Sequence, residues 1–486
     1  MTQHLPRTAS DCRQLDKLEL LAAGYLLLPV LVFLLGWMRL PFALLLAATL
    51  APASLIAWRG RRHGTVTLSK LELLAASLVA VAWVSFSGLA NGFYLNLDWL
   101  LRMSMLRDLV VGNWPASYGQ QAGGEVILRS ALGYYLVPAL AGKLTSLDGA
   151  RIALWAWTAF GAVLFLAMLA SANPARRRSA WISALAIAVF FSGMDVIGWL
   201  MDARTLRFGQ HIEWWNYVRQ FSSQTTLMFW VPNHALPGWL LAMIVWRHRE
   251  HGLAAAPAAL LLLSVVFWSP LVAVGALPLL VWCVWRKQGW FQLVRESLRP
   301  SLLVLLPVGW VVWTYLTMNV GSASNTKQVD IFAEPSPLVH FMLLEWALLA
   351  VAVYRREERP QLFALVLLQL LLMPFLQFGP NSDMIMRGCI PPLAILMMYT
   401  IDAWQAARPL RRTVITAILL VGSVTPLLEF QRALQPGPRY MHREQDFVQV
   451  NGQPWHYIAP LTHPVLVGVF KTPEAMQPRK TVEHPK

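Results

Sequence analysis

The chain has 486 residues, of which 57% are hydrophobic and 13% are charged, and its formal net charge is +15. Its mean hydropathy is +0.49. These values exclude an ordinary soluble globular domain and predict an all-α polytopic membrane protein, because lipid cannot satisfy an open backbone.

The basic residues do not indicate nucleic-acid binding. They occur in short clusters at the ends of apolar runs, where membrane proteins place cytoplasmic positive charge. Cys12, Cys283 and Cys389 are too few and too scattered for a disulfide framework or a metal knuckle. We therefore expect a lipid bilayer as a partner and no nucleic acid.

About fourteen apolar runs are long enough, or nearly so, to cross a hydrocarbon layer of about 30 Å as helices. In chain order they lie near 18–36, 39–58, 71–90, 131–147, 151–171, 180–200, 226–246, 252–268, 270–285, 300–318, 338–354, 361–378, 386–402 and 413–430. We expect about 12–14 transmembrane helices. The residues before the first run lack the apolar core and cleavage site of a signal peptide, so we expect this run to be retained.

The positive-inside rule predicts the topology. The basic clusters lie at 58–64, 175–179, 246–252, 285–289, 354–359 and 408–412. If all are cytoplasmic, the N-terminus is cytoplasmic and several polar segments lie outside. These external segments are 91–130, 201–225, 319–337, 379–385 and the tail 431–486. We expect the bacterial inner (plasma) membrane as the location.

Two apolar runs leave alternatives open. The run 131–147 gives one crossing too many, so either it is re-entrant or interfacial, which we favour, or 175–179 is an exception to the charge rule. Ser269-Pro270 predicts either a turn between two short spans or a kink in one long span.

The tail is expected to form a small extramembrane cap. It combines turn formers with an alternating stretch, VLVGVF (465–470), and it lacks an apolar run of spanning length. This alternation predicts one or two strands.

The segment after the third apolar run carries an unusual number of charges. Its sequence, NLDWLLRMSMLRDLVVGNWP (96–115), predicts a helix from Asp98 with Arg102 one turn further on. We expect this helix to lie along the membrane surface, anchored by Trp99 and Trp114. The alternative is an amphipathic helix whose charges are only solvated.

A span is followed by a polar exit, LNLDW, and then by the interfacial helix and an aromatic run, GYYLVPALAGKL. In this order of elements the chain resembles the GT-C glycosyltransferases over roughly residues 70–200. That family includes the protein O-mannosyltransferases, the aminoarabinose transferases and the bacterial oligosaccharyltransferases. It carries an acidic residue just after the span at the start of its first large external loop. The resemblance assigns that role to Asp98, although the family's usual acidic pair appears here as Asp98-Trp99. It implies a GT-C-like transmembrane domain over 1–430.

The implied reaction transfers a sugar from a polyprenyl-phosphate-linked donor to a lipid-linked or envelope glycan acceptor at the outer face. Such a reaction needs a carboxylate, as general base or as ligand of a divalent cation such as Mg²⁺ or Mn²⁺, and a cationic group for the departing phosphate. Asp98 is the expected catalytic and metal-binding carboxylate, and Arg102 the expected phosphate partner.

The richest polar and aromatic stretch, 201–239, contains further candidates. His211, Glu213 and Trp214 suit a carbohydrate or lipid-headgroup cleft, because sugar rings pack on aromatic rings while their hydroxyls bind charged groups. The alternative is an interfacial aromatic belt. His234, between two prolines, is expected to be either a substrate ligand or a packing residue.

Three charged residues in or near later spans complete the candidate site. Asp195 lies within an apolar run, where a carboxylate marks either a functional site or a hydrogen bond between helices. Asp383 and Arg387 are one turn apart at the start of a span, and we expect Arg387 to bind phosphate or to form a structural ion pair with Asp383.

Two other functions are compatible with the sequence. One is a flippase or carrier for a lipid-linked glycan, and the other is a polysaccharide polymerase or ligase of a different fold. A flippase should have charges along its spans, whereas the polar residues here gather in the outer loops and at span mouths. This distribution favours a site at one membrane face.

Overall fold

The computed structural model describes residues 16–59, 68–90, 92–121, 124–171, 180–217, 219–318, 335–355, 360–376, 383–436, 446–448 and 457–476. Helices dominate these residues. They are α1 (Lys17–Trp37), α2 (Leu40–Arg59), α3 (Lys70–Val84), α4 (Asp98–Val111), α5 (Leu136–Leu144), α6 (Leu147–Ser171), α7 (Ala180–Phe190), α8 (Asp195–Met201), α9 (Gln224–Trp230), α10 (Pro232–His248), α11 (Ala255–Trp268), α12 (Pro270–Ser297), α13 (Pro300–Leu303), α14 (Leu306–Thr317), α15 (Pro335–Met342), α16 (Leu348–Val353), α17 (Pro360–Leu372), α18 (Asp383–Gly388), α19 (Ile390–Ala406), α20 (Pro409–Gly422), α21 (Val424–Ala433) and α22 (Pro464–Val469).

Five helical segments in the described ranges are long and apolar enough to cross a membrane. They are Lys17–Trp37, Lys70–Leu89, Leu147–Ser171, Ala180–Met201 and Pro409–Ala433. Five more apolar helices are shorter, with 10–17 residues each. This is the architecture of an α-helical membrane protein, and the expected number of 12–14 spans stays a prediction.

Both ambiguous runs have a definite structure. Helix α5, in the run 131–147, has nine residues. It is about 14 Å long, too short to cross the hydrocarbon layer. At Ser269 the backbone leaves the helical conformation, and the amide of Leu253 before α11 bonds the carbonyl of Cys283 in α12 at 3.2 Å. Helices α11 and α12 therefore form a hairpin, with Ser269-Pro270 as its turn.

Helix α10 is buried along nearly its whole length. Its Trp239 stacks on Trp83 of α3 and on Phe165 of α6, with ring centroids 5.4 and 5.0 Å apart. At its other end Arg247 donates to Glu19 of α1 at 2.8 Å. These contacts fix α10, whose first turn carries His234.

The tail and the first large loop share one small sheet. Strands β1 (Ala116–Gln121) and β2 (Gly124–Leu128) form an antiparallel hairpin, and the tail adds β3 (Ile458–Pro460) and β4 (Glu474–Ala475) in the order β3-β2-β1-β4. The tail contains two strands, as predicted, but the alternating stretch 465–470 does not form them, because residues 465–469 belong to α22, which begins at Pro464. The strands flank that helix instead.

Helix α4 begins at Asp98 as predicted. The expected membrane anchoring by Trp99 is wrong, because Trp99 is fully buried in protein and donates to the carbonyl of Phe229 at 2.8 Å. Trp114 packs on Trp37 of α1, with ring centroids 5.0 Å apart. The helix is thus held by protein contacts on its apolar side.

Several predicted segments lie wholly or partly outside the described residues. They are the basic clusters at 58–64, 175–179 and 354–359, the external segments 319–337 and 379–385, and much of the tail.

Candidate functional site

A tight turn directs the chain from α3 to Asp98. Gly88 has φ +92°, and a Cβ there would come within 2.7 Å of the Tyr94 carbonyl oxygen. Tyr94 in turn donates its amide to the carbonyl of Ala433 at 2.9 Å. Only glycine allows this conformation with such a close approach, and the chain then enters α4 four residues later at Asp98.

Arg102 is fixed by polar side chains from two other elements. It donates to the hydroxyl of Tyr135 at 3.3 Å and to the amide oxygen of Asn233. Since a guanidinium only donates, it fixes the orientation of the Asn233 amide. The Asn233 nitrogen then donates to Nε2 of His234 at 3.1 Å, and Nδ1 of His234 contacts Oγ of Ser269 at 2.7 Å.

This chain of hydrogen bonds determines the state of His234. Because Nε2 accepts from Asn233, the proton sits on Nδ1 and is donated to Ser269. The imidazole is therefore neutral, which suits a buried ring on which the charges of both Arg102 and Arg387 act. Both nitrogens of His234 are thus occupied by protein partners.

Asp98 is the open member of this group. Its carboxylate lies 3.5 Å from Arg102 and is 46% exposed, whereas the Arg102 side chain is 11% exposed. Arg387 of α18 pairs with Asp383 at 2.9 Å, with both side chains partly exposed, and its charge acts on His234. We call Asp98, Arg102, Asn233, His234 and Arg387 the Asp98 site.

The break between α9 and α10 brings Asn233 and His234 into this site. Val231 leaves the helical conformation, and Pro232 restarts the helix at its first position, where a missing N–H costs nothing. The first turn of α10 consequently carries Asn233 and His234 toward α4. The structure places α4, α5, α10 and the α11–α12 turn around one group of polar side chains.

Asp195 lies in a separate buried cluster. Its carboxylate accepts from the hydroxyls of Ser192 at 3.0 Å and Thr425 at 2.8 Å, and from the indole of Trp215 at 3.2 Å. Trp215 also donates to Glu345 at 3.0 Å. These are hydrogen bonds between neighbouring helices and their loop, so Asp195 joins α8, α21 and the segment before α9.

Glu213 holds the loop before α9. It accepts from the amide of Ser223 at 2.8 Å and from Gln220 at 2.6 Å, next to the N-terminus of α9. Burial raises the pKa of Glu213 above its ordinary value; His211 opposes this rise and Asp195 adds to it. Its contacts are those of a loop-fixing residue.

His211 and Trp214 line an open cavity of about 550 Å³. Nδ1 of His211 lies 2.7 Å from Glu429 of α21, which also accepts from Trp230 at 2.9 Å and pairs with Arg432 at 3.4 Å. Further lining residues are Trp199, Arg204, Arg207, Phe208, Gly209, Gln210, Tyr217, Trp230 and Arg432. We call this space the His211 cavity.

The described residues contain no group of three or more His, Cys, Asp or Glu side chains placed to hold a metal ion. Asp98 offers one open carboxylate, while Asp383 is paired and His234 has no free nitrogen. A divalent cation on Asp98 would therefore take its other ligands from a substrate phosphate and water, as Mg²⁺ commonly does.

The sequence candidates thus fall into three places. Asp98, Arg102 and His234 are linked by contacts, and the charge of Arg387, which is paired with Asp383, acts on His234. His211 and Trp214 line a second cavity, and Asp195 and Glu213 make buried hydrogen bonds outside both. Sequence reasoning missed Tyr135 and Asn233 as partners of Arg102; the GYY motif and the polar pair between Pro232 and Pro237 were the available signals.

The Asp98 site and the His211 cavity are connected through one short segment, 229–233. Phe229 accepts from Trp99 beside Asp98, Trp230 lines the His211 cavity, and Asn233 binds Arg102.

No protein-family model, curated protein or solved structure matches the chain.

Proposed function

We propose that the protein is a GT-C-like membrane glycosyltransferase that moves a sugar from a polyprenyl-phosphate donor to a glycan acceptor at the outer face of the bacterial inner membrane. The observation that supports this function is the Asp98 site. There the exposed carboxylate of Asp98 lies next to the fixed guanidinium of Arg102. The charge of a second guanidinium, that of Arg387, acts on the neutral His234, which is linked to Arg102 through Asn233. One base and two anion-binding groups are what this transfer requires.

In this reaction Asp98 accepts the proton of the acceptor hydroxyl. The acceptor oxygen then bonds to the anomeric carbon of the sugar while the bond from that carbon to the phosphate oxygen breaks. The electron pair leaves with the polyprenyl phosphate. Proton transfer by a positioned carboxylate contributes roughly a hundredfold or more to such a rate.

Arg102 and Arg387 serve the departing phosphate. Arg102 is already held by Tyr135 and Asn233, so it loses little conformational freedom when it binds an anion. The neutral His234 keeps a third positive charge out of the site, and its bond to Asn233 keeps Arg102 in place. A cation bound to Asp98 would supply additional charge neutralisation, and none of these steps depends on it.

The test uses the purified full-length protein in proteoliposomes. A panel of labelled polyprenyl-phosphate monosaccharides is presented with an extract of envelope glycans, and the release of polyprenyl phosphate is measured. We expect the wild type to consume one donor and Asp98→Asn to lose roughly a hundredfold or more of that activity. The substitution keeps the shape of the side chain and removes its charge.

Asp148→Asn is the matched control. Asp148 also lies in the first turn of a helix and pairs with an arginine about one turn on, Arg151, at 2.8 Å. It should retain wild-type turnover. Undiminished transfer by well-folded Asp98→Asn would remove Asp98 from the mechanism, and movement of intact donor across the bilayer without release of phosphate would identify a flippase instead.

A further inference from the structure

The His211 cavity is built from aromatic faces and guanidinium groups together. Trp214, Phe208 and Tyr217 are 56%, 61% and 83% exposed, although large aromatic side chains are ordinarily buried. Trp230 of α9 adds a further aromatic side chain to the lining. Aromatic faces that stay open around one space suit the C–H faces of sugar rings.

Two of the guanidinium groups, those of Arg204 and Arg432, are held in place by protein contacts. Arg204 lies between the rings of Trp199 and Tyr217, 4.6 and 4.5 Å from their centroids, and pairs with Asp202 at 2.7 Å. Arg432 lies over Trp230 and donates to the carbonyl of Gly209 at 2.9 Å. Pre-placed donors lower the cost of binding a charged ligand.

The charges around the cavity do not cancel. Three arginines, Arg204, Arg207 and Arg432, face two carboxylates, Asp202 and Glu429. Arg207 forms no ion pair with the described residues, and its side chain is exposed at the cavity. The remaining positive charge favours an anionic ligand.

The polar groups also include both donors and acceptors. Gln210 and His211 line the same space as the arginines. Sugar hydroxyls need acceptors as well as donors, whereas the phosphate of a lipid headgroup needs donors alone. The combination favours a saccharide over an anionic lipid.

The cavity lies within reach of the Asp98 site. Tyr94 is bonded to Ala433, the neighbour of Arg432, and Asp98 follows Tyr94 by four residues. Four residues span at most about 14 Å when extended, which bounds the distance from Tyr94 to Asp98. A second link is shorter, because Trp99, the neighbour of Asp98, donates to the carbonyl of Phe229, and the next residue, Trp230, lines the cavity. An oligosaccharide of several units is long enough to connect the two.

We propose that the His211 cavity binds an acidic saccharide, a sugar chain bearing carboxylate groups, as the acceptor of the reaction. Its identification as the acceptor rests on the proposed glycosyltransferase function, whereas binding itself does not. Arg207 is the group that distinguishes acidic from neutral chains, and Trp214 supplies a stacking face for both.

The experiment measures binding by calorimetry to the purified full-length protein without any donor. The probes are tri-galacturonate, the neutral maltotriose and glycerol 3-phosphate as a lipid-headgroup mimic. We expect tri-galacturonate to bind at least about tenfold more tightly than maltotriose, since charge-assisted hydrogen bonds exceed neutral ones. Arg207→Gln should lose about tenfold in affinity for tri-galacturonate and leave maltotriose unchanged, while Trp214→Ala should weaken both.

Arg151→Gln is the control and should bind like the wild type. Equal binding of tri-galacturonate and maltotriose, or no effect of Arg207→Gln, would overturn the proposal, as would displacement of tri-galacturonate by equimolar glycerol 3-phosphate. Because no transfer is measured, failure of the Asp98→Asn test would leave this result standing, and failure here would leave the donor chemistry intact.

Discussion

Asn233 connects the two halves of the Asp98 site because both ends of its amide are used. Its oxygen accepts from Arg102 and its nitrogen donates to His234. The side chain is buried, so loss of either bond leaves a polar group without water. Asn233 thereby determines where Arg102 points.

Asn233→Leu should therefore weaken donor binding more than chemistry. The substitution keeps a similar size and removes both hydrogen bonds, so Arg102 retains only Tyr135 and Asp98. We expect KM for the donor to rise about tenfold with a smaller change in kcat, the scale of one lost charge-assisted bond. Steady-state kinetics check this, with Asn113→Leu, whose side chain bonds Glu474 at an exposed position, as control. A fall in kcat at constant KM would contradict the positioning role.

Arg387→Lys separates charge from geometry at the second guanidinium. Lysine keeps the positive charge and loses the planar fork that pairs two phosphate oxygens. We expect donor KM to rise by about tenfold while kcat changes less. Arg299→Lys alters another arginine paired with an acid within one helical turn and should have no effect. Equal kinetics of Arg387→Lys and the wild type would leave Arg387 as a structural partner of Asp383.

Only the contacts between residues close in the chain could be predicted from the sequence at this site. Asp98 and Arg102 are four residues apart, so helical spacing alone predicted their pairing, which the structure shows at 3.5 Å. Asn233 lies 131 residues beyond Arg102 in the chain. Such a contact depends on how α4 and α10 pack, which no local pattern determines.

Among the structural elements, α4 and the tail depend on each other. Asp108 of α4 is fully buried and accepts from the amide of Phe447 at 2.9 Å, from Tyr118 at 3.0 Å and from Arg107 at 2.8 Å. Burial raises the pKa of Asp108 to about 6, against the opposing effect of these hydrogen bonds. One carboxylate thus joins α4, β1 and the tail.

This pKa predicts a pH dependence of stability. Between about pH 4 and about pH 6 the folded protein keeps a proton on Asp108 that the unfolded chain has released, so the unfolding free energy falls as the pH rises. From about pH 4.5 to about pH 6.5 the thermal midpoint of the wild type should drop by on the order of 2 °C more than that of Asp108→Asn. Asp148→Asn, at an exposed acid, should follow the wild type. Parallel curves for wild type and Asp108→Asn would refute the assignment.

The tail shows where strand patterns mislead. VLVGVF alternates like a strand, yet Pro464 at the first helical position starts a short helix there. The strands of the tail instead form at residues 458–460 and 474–475, where β2 and β1 offer edges. Their partners come from a loop more than 300 residues earlier, so pairing rather than local propensity decides the structure.

For the whole molecule, topology is the remaining prediction. Asn113 bonds Glu474 at 2.6 Å, so the first loop and the tail lie on the same side. The basic cluster 246–252 should lie on the opposite side. Cys283 and Cys389 are buried, so a Cys12→Ser background leaves no other cysteine exposed to label. In this background Glu474→Cys should react with an impermeant maleimide in intact cells. Glu250→Cys, also at an exposed position, should react only after lysis; the reverse pattern would invert the topology.

The proposed function requires that a lipid phosphate binds between Arg102 and Arg387 beside Asp98. A cryo-electron microscopy structure of the protein with polyprenyl phosphate, the released product, tests this most directly. We predict that phosphate oxygens lie within about 3 Å of both guanidinium groups, the distance of a charge-assisted hydrogen bond. A phosphate bound in the His211 cavity, with Arg102 and Arg387 free of it, would rule out this binding mode.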